Sequence, residues 1–402
     1  MRMIAGPKLA VEVSIGGGIG FIGSGNDQSN LAAQLEQARS LCKERDFFDH
    51  SVLPVGVGFI NWGADLAISL PLLEKYRPCA VWLFAPRKIS DLTRWTNETR
   101  RVTDGATQIW VQVGSVADAI ATVKACEPDV LVMQGTDAGG HGLNRGASIV
   151  SLVPETIDAL QDLVISKQIK TKPAIIATGG IADARGVAAA IVLGADGVCM
   201  GTRYLASHEA EIAMGYQQEV VRASDGGQTT IRSSVYDELR GTTDWDPKYG
   251  GRGVTNKSYD DAIAGMDFEE NKKLYAEAVE QGDQGWGPHA RMTTYAGTSV
   301  GLVTGVESAA KITMDVSHGA RMALVILKSP SERLKMYESC KQETCGMQET
   351  KDKFKDFTRT EFRKHVELDK KDFSTIEFLL RKGNRQLDIY ESPGIKNIII
   401  YR

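Results

Sequence analysis

Cysteine and long apolar runs are scarce in this chain of 402 residues. Six cysteines are scattered along it, and Cys340 and Cys345 form a lone pair without a second pair or a flanking histidine. That spacing argues against a structural zinc site, and we expect no metal. The isolated thiols are typical of a reduced, intracellular protein.

Signals for membrane insertion, secretion and nucleic-acid binding are also lacking. No apolar run reaches the roughly 18 residues that a membrane span needs. The N-terminus has no apolar h-region of the kind that secretory signals contain. A net charge of −4 argues against nucleic-acid binding by the whole chain.

Charge density divides the chain near residue 330. Residues 330–402 carry 29 charged side chains and a net charge of +3, whereas the preceding residues have a net charge of −7 and half that density. Only three of the 41 glycines lie beyond residue 330. We therefore expect a Gly-rich α/β domain over 1–329, with a helical insert at about 205–290, and a charged helical segment over 330–402.

Short apolar runs alternate with amphipathic stretches in the first domain. Such alternation predicts a parallel sheet covered by helices. Seven runs are predicted as strands: 19–22, 52–59, 80–84, 108–113, 130–133, 174–177 and 197–200. Seven stretches are predicted as helices: 7–14, 31–44, 65–76, 90–99, 116–125, 154–164 and 185–193, with Pro154 at a helix start.

Seven strands leave two architectures open. A closed TIM (β/α)8 barrel has eight, whereas an open doubly wound sheet tolerates six or seven. The chain begins with a helix, as a barrel without its first strand would. We therefore predict an α/β TIM barrel whose first strand is missing, followed by a mostly helical C-terminal extension.

Two glycine-rich turns favour the barrel. Residues 177–181 (ATGGI) and 200–203 (MGTR) lie where the predicted strands 174–177 and 197–200 end. Their glycines allow backbone N–H groups to approach an anion, and phosphate held by the loops after strands 7 and 8 is typical of this fold. The run at 16–20 precedes a strand, so we interpret it as a helix-to-strand turn rather than a dinucleotide fingerprint.

A histidine lies on a third glycine-rich loop. Residues 134–142 (QGTDAGGHG) follow the predicted strand 130–133, at the strand end where barrels carry their chemistry. Histidine titrates near neutral pH and can accept a proton from a weak carbon acid. His141 is therefore our candidate for a catalytic base.

Taken in order, these motifs resemble the nitronate monooxygenases, formerly called 2-nitropropane dioxygenases. The stretches that carry the resemblance are GGIGFIG (17–23), VGVGF (55–59), QGTDAGGH (134–141), ATGGI (177–181) and MGT (200–202). A further stretch, YAGTSVGLV (295–303), is similar to the closing segment of fungal-type members. The resemblance spans Met1 to about Gly319.

The resemblance implies a TIM barrel that holds FMN non-covalently and uses O2 to oxidise alkyl nitronates or nitroalkanes to carbonyl compounds and nitrite. It implies His141 as the catalytic base. It also implies a set of flavin-binding residues: Gly179, Gly180, Gly201 and Thr202 at the phosphate, Gln134, Gly139 and Gly140 against the ring, and Asn61 and Gln112 as further contacts.

One departure from the family lies at the start of the chain. Family members begin with a strand that ends in Pro-Met, and Met1 aligns with that Met. This first strand is therefore the eighth strand that the seven predicted ones lack. A barrel without one strand has two unpaired edges. We expect such a chain to be poorly stable and to bind flavin weakly.

Two other functions stay open at this stage. A flavin-dependent enoyl reductase of the same barrel group shares the Gly-Gly-His loop and would consume NAD(P)H. The chain could also be an inactive truncated or fused product whose function lies in its C-terminal segment.

The C-terminal segment resembles a different family. Residues 362–364 and 370–387 are similar to the second half of LYR-type succinate dehydrogenase assembly factors, with apolar residues on one predicted helix face. The Leu-Tyr-Arg tripeptide itself is absent. The resemblance implies a mitochondrial partner, and a solvated charged helix is the alternative. We expect a cytoplasmic location, with the mitochondrion as the alternative that this segment suggests.

Overall fold

Seven parallel strands form the central sheet of the computed structural model, which describes residues 4–46 and 51–326. The predictions for residues 330–402 lie outside this described part. Neighbouring strands pair in the order in which they follow one another along the chain, β1-β2-β3-β4-β5-β7-β8, and strand β6 belongs to a second sheet described below. The strands are β1 Gly20–Gly25, β2 Val55–Ile60, β3 Ala80–Phe84, β4 Gln108–Val113, β5 Val130–Gln134, β7 Ala174–Thr178 and β8 Gly197–Cys199.

Alternate residues of these strands pack into two separate apolar layers. In β3, Val81 and Leu83 join the cluster between sheet and helices, while Ala80 and Trp82 face the interior of the curled sheet. The period of two along a strand produces this division. Three aromatic rings fill the interior, because the Phe21 centroid lies 5.1 Å from those of both Trp82 and Trp110. All seven predicted strands are confirmed.

Helices cover the outer face of the sheet. Several begin at a side-chain cap, such as Asp65, Ser115 and Asp183, whose oxygens accept backbone N–H groups of the first turn. Those that alternate with the strands are α1 Pro7–Ile15, α2 Leu31–Glu44, α3 Leu66–Tyr76, α4 Ile89–Val102, α5 Val116–Cys126, α6 Ile149–Ile165 and α7 Ala184–Val192.

The prediction that Pro154 starts a helix is wrong. Helix α6 begins five residues earlier, at Ile149, and Pro154 lies inside it. Proline removes one backbone donor there, but the buried residues Ile149, Leu152 and Val153 place the first turn against the core. Burial of these side chains therefore outweighs the local preference of proline.

The chain enters the sheet through a tight helix-to-strand turn. Residues 16–19 join α1 to β1, which confirms the interpretation of this glycine run. A Cβ on Gly20 would lie 1.9 Å from the Ala10 carbonyl oxygen, so glycine is required where α1 crosses the strand. Within β1, which pairs with β2, Gly23 N–H donates to the carbonyl oxygen of Ala5, a residue that precedes α1, at 2.8 Å.

A second, antiparallel sheet begins beyond the carboxyl end of β5. It has the order β6-β10-β9, with β6 at Gly140–Leu143, β9 at Thr230–Ser233 and β10 at Tyr249–Val254. His141 pairs with Gly251 of β10. The loop that the sequence predicts at 134–142 thus ends in a strand, because its partner strand lies more than one hundred residues later.

Seven further helices complete the described chain, most of them short. They are α8 Thr202–Leu205, α9 Met214–Arg222, α10 Gly226–Thr229, α11 Val235–Arg240, α12 Lys257–Ile263, α13 Phe268–Glu280 and α14 Ala309–Ile326, with 3-10 turns at Gly282–Gly285 and Thr298–Leu302. No helix within residues 4–46 and 51–326 is long and apolar enough to cross a bilayer.

Candidate active site

The predicted site residues lie at the carboxyl ends of the parallel strands. Gln112 and Gln134 belong to β4 and β5, and they share the inward-facing parity of Trp110 and Val132. Asn61 directly follows β2. Because parallel strands end at one edge of a sheet, these side chains meet at the same face, where barrels and open α/β sheets bind ligands.

Three glycine-containing loops converge at this face. A Cβ on Gly179 would lie 2.9 Å from the Gly135 carbonyl oxygen, and one on Gly297 would lie 2.9 Å from the Gly139 nitrogen. Gly297 N–H also donates to the Thr202 hydroxyl at 2.9 Å. The structure therefore brings the predicted phosphate residues and the 134–141 loop into contact.

The turn after β7 requires glycine. Gly179 and Gly180 have φ values of +108° and +76°, in the left-handed region that side chains rarely adopt. Gly201 differs, because a Cβ there would meet nothing within 4 Å. The space beside Gly201 is therefore open, whereas Gly179 and Gly180 are packed closely against the 135–138 loop.

Three side-chain amides at this face differ in their hydrogen bonding. The Gln112 Oε1 accepts from Trp82 Nε1 at 3.0 Å, and Gln134 Nε2 donates to the His141 carbonyl oxygen at 2.9 Å. Both polar atoms of the Asn61 amide are buried without a partner among the described residues. An unpaired buried amide is costly, so this side chain fits a ligand that supplies both a donor and an acceptor.

Aromatic rings enclose His141. The Trp245 ring stacks on the imidazole with a centroid distance of 3.9 Å and an interplanar angle of 7°. Trp62, Phe84 and Tyr249 lie within 6.0 Å of Trp245, centroid to centroid. These rings build an apolar wall at the mouth of the sheet.

A carboxylate binds the imidazole. The His141 Nε2 and Asp237 Oδ2 lie 2.8 Å apart, and their side chains are 14% and 8% exposed. The other oxygen, Oδ1, accepts from Tyr295 Oη and from Thr242 Oγ1, each at 3.0 Å. Burial, together with the nearby Asp237 carboxylate, raises the pKa of Tyr295, so the phenol stays protonated as the donor.

Two half-buried arginines donate hydrogen bonds to the backbone of the 136–140 loop. Arg232 donates to the carbonyl oxygens of Gly140 at 2.9 Å and Ala138 at 2.7 Å, and Arg252 donates to that of Thr136 at 3.1 Å. Burial, and then the proximity of Arg252, lower the pKa of Arg232 to about 10. Both guanidinium groups stay charged at neutral pH and place positive charge next to the backbone of the loop.

Sequence reasoning missed the residues that the insert contributes. Asp237, Trp245 and Arg232 come from α11, the following loop and β9, and no local pattern distinguishes them from surface residues of the same type. Tyr295 lies in the stretch recognised as a closing segment, but its role as a donor to Asp237 required the structure. The described residues contain no group of three or more metal-ligating side chains.

Comparison with known proteins supports both sequence resemblances. Residues 92–318 match the family model described as nitronate monooxygenase, and residues 345–389 match that of Complex 1 protein (LYR family). The chain is 45% identical over 330 residues to a nitronate monooxygenase of Metarhizium robertsii, covering 81% of this chain and 90% of that protein. It is 36% identical over 342 residues to one of Neurospora crassa, covering 80% and 87%.

Solved structures share the fold. A nitroalkane oxidase of Streptomyces ansochromogenes matches with a TM-score of 0.62 at 18% identity, covering 82% of this chain and 95% of that one. FabK from Thermotoga maritima matches with a TM-score of 0.58 at 23% identity, covering 81% and 92%. At these identities the similarity concerns the fold alone, and it confirms the predicted barrel-type architecture.

Proposed function

Because this chain belongs to the nitronate monooxygenase family, we propose that it uses FMN and O2 to oxidise alkyl nitronates and nitroalkanes to carbonyl compounds and nitrite. The observation that carries the proposal is the position of His141. Its half-buried imidazole is bonded through Nε2, on a glycine-rich loop that follows a strand of the same sheet that positions the unpaired buried amide of Asn61.

The residues at this face fit an FMN molecule. Asn61 offers an unpartnered donor and acceptor for the ring edge. Gln112 and Gln134 lie at the carboxyl ends of β4 and β5, and Gly139 and Gly140 lie where β6 begins. We assign the phosphate to Gly179, Gly180, Gly201 and Thr202, since Gly179 and Gly180 adopt left-handed backbone conformations and the space beside Gly201 is open. When bound, the flavin would supply electron transfer from the nitronate to O2.

His141 acts on the proton of a neutral nitroalkane. Its Nε2 is engaged by Asp237, so Nδ1 is the nitrogen left to accept the proton from the α-carbon of the substrate. For a substrate that arrives already as the nitronate, the same side chain orients the anion. The wall of Trp62, Phe84, Trp245 and Tyr249 limits the access of water to the reacting carbon.

Oxygen consumption tests this function directly. The full chain supplied with FMN should consume O2 and release nitrite when it is given ethylnitronate, without any nicotinamide. An enoyl reductase would instead consume NAD(P)H with an enoyl thioester. Oxidation of NAD(P)H together with no nitronate turnover would contradict the proposal.

Replacement of the base should separate the two substrate forms. We expect His141→Gln to lower kcat/KM for nitroethane by about 100-fold or more, since general-base catalysis contributes that much. Oxidation of ethylnitronate, which needs no deprotonation, should fall far less. His208→Gln changes an exposed histidine and serves as the matched control. Wild-type turnover of nitroethane by His141→Gln would remove the assigned role.

We also propose that residues 330–402 form a separate segment that binds a mitochondrial protein. The support is the LYR-family match at 345–389. Affinity capture from a mitochondrial extract should recover a partner with the full chain but not with a chain ending at residue 329. Equal recovery by both would contradict this assignment.

A further inference from the structure

Asp237 is the one acidic side chain bonded to the His141 imidazole among the described residues. Its carboxylate accepts three hydrogen bonds, from His141 Nε2, Tyr295 Oη and Thr242 Oγ1. At 8% exposure the group has little contact with water, so these donors take the place of its hydration. The arrangement fixes the orientation of the carboxylate.

The position of Asp237 is set independently of His141. Helix α11 is anchored by Tyr236, a fully buried residue whose hydroxyl donates to the Val254 carbonyl oxygen at 2.7 Å. Thr242 N–H donates to the Asp237 carbonyl oxygen at 2.9 Å and closes the helix end. A rigid support of this kind is what a positioning group needs to act on a second side chain.

The hydrogen bond to Asp237 selects one tautomer of the histidine. A carboxylate only accepts hydrogen bonds, so His141 Nε2 carries the proton that it donates at 2.8 Å. In the neutral ring, Nδ1 then carries a lone pair. None of the described residues makes a hydrogen bond to Nδ1, which leaves that nitrogen for substrate.

We propose that Asp237 is a positioning residue that holds His141 in its reactive tautomer and stabilises the charged ring formed during catalysis. In the step concerned, the α-C–H bond of a neutral nitroalkane breaks and an Nδ1–H bond forms. The electron pair stays on the substrate as the nitronate, and the imidazolium faces the Asp237 carboxylate. The inference rests on the function proposed above.

The charges around the pair agree with this role. The Tyr295 ring centroid lies 5.5 Å from that of His141, and the Arg240 guanidinium lies 5.6 Å from the Tyr295 ring. Arg232 contacts the backbone beside His141 through the Gly140 carbonyl oxygen. Asp237 is thus the negative group that compensates for a positive charge on the His141 ring, and the positive charges of Arg232 and Arg240 lie nearby.

Two forms of one substrate test the proposal. With the full chain loaded with FMN, Asp237→Asn should lower kcat for nitroethane by about 10- to 100-fold, a loss typical of groups that orient a reactive imidazole. KM for nitroethane should change by less than about threefold, because no contact to substrate is removed. The rate with preformed ethylnitronate should also stay within about threefold of wild type.

A second variant and a control keep the result interpretable. Thr242→Val removes one hydrogen bond to the same carboxylate, and it should lower the nitroethane rate in the same direction but less. Asp261→Asn changes another buried carboxylate of the insert, which pairs with Arg291 away from His141, and should leave the ratio of the two rates unchanged. FMN content is measured for every variant.

The outcomes are distinguishable. A selective loss with nitroethane supports the positioning role, whereas equal losses with both substrates, or none, would overturn it. Failure of the wild-type protein to oxidise either substrate would refute the proposed function instead.

Discussion

Asn61 should affect stability and flavin binding in opposite directions. Its Nδ2 and Oδ1 are buried without a partner among the described residues, and the residue is 5% exposed. Each buried polar group left unpaired costs about 1–3 kcal/mol. Asn61→Leu removes both groups at similar shape, so the flavin-free protein should become more stable by about 2–6 kcal/mol.

The same change should weaken FMN binding. If the amide donates to and accepts from the flavin ring, its loss removes two hydrogen bonds of about 0.5–1.5 kcal/mol each. That range corresponds to a rise in Kd of about 5- to 150-fold. Urea denaturation of the flavin-free protein measures the first effect, and quenching of FMN fluorescence on titration measures the second.

Asn271 provides the matched control. It is equally buried, but its Nδ2 donates to the Ser258 carbonyl oxygen at 2.8 Å and its Oδ1 accepts from Arg291 at 3.1 Å. Asn271→Leu should therefore lower the free energy of unfolding and leave the Kd for FMN within twofold. A destabilised Asn61→Leu protein with unchanged FMN affinity would refute the reasoning.

Two further predictions concern the glycine turns and an ion pair. Gly179→Ala should destabilise the protein and abolish FMN binding, because φ is +108° and the Cβ would meet the Gly135 carbonyl oxygen. Gly201→Ala should fold normally and weaken FMN binding alone, because a Cβ there meets nothing within 4 Å. Thermal melts and FMN titrations of both variants separate these effects. The ion pairs with Lys257 and Arg291 lower the pKa of Asp261, so its stabilising contribution is present above the unfolded value near 4 and is lost as the pH falls through the lower folded value. Asp261→Asn should therefore reduce stability at pH 7 but not at strongly acidic pH, and a pH-independent difference in urea unfolding would contradict this explanation.

The central sheet could be predicted because its strands are short and buried on both faces. Runs such as Ala80–Phe84 and Gln108–Val113 coincide with the observed strands, since apolar residues bounded by polar loops carry the signal locally. The start of α6 was missed because burial of Ile149 outweighs the preference of Pro154 for the first position of a helix.

The second sheet and half of the site could not be predicted in this way. Strand β6 contains the glycines and the histidine of a loop-like sequence, and it forms because β10 offers an antiparallel partner. Asp237 lies 96 residues from His141, so their hydrogen bond depends on tertiary folding of the insert. Local patterns therefore predicted His141 as a candidate base, whereas its hydrogen bond to Asp237 required the structure.

The most direct test of the account is the visible absorption spectrum of the purified full chain, recorded before and after addition of FMN and removal of free flavin. The proposed site predicts flavin bands in about equimolar amount that remain with the protein fraction. Protein without flavin bands, even after incubation with excess FMN, would contradict the assignment of this face as a flavin site.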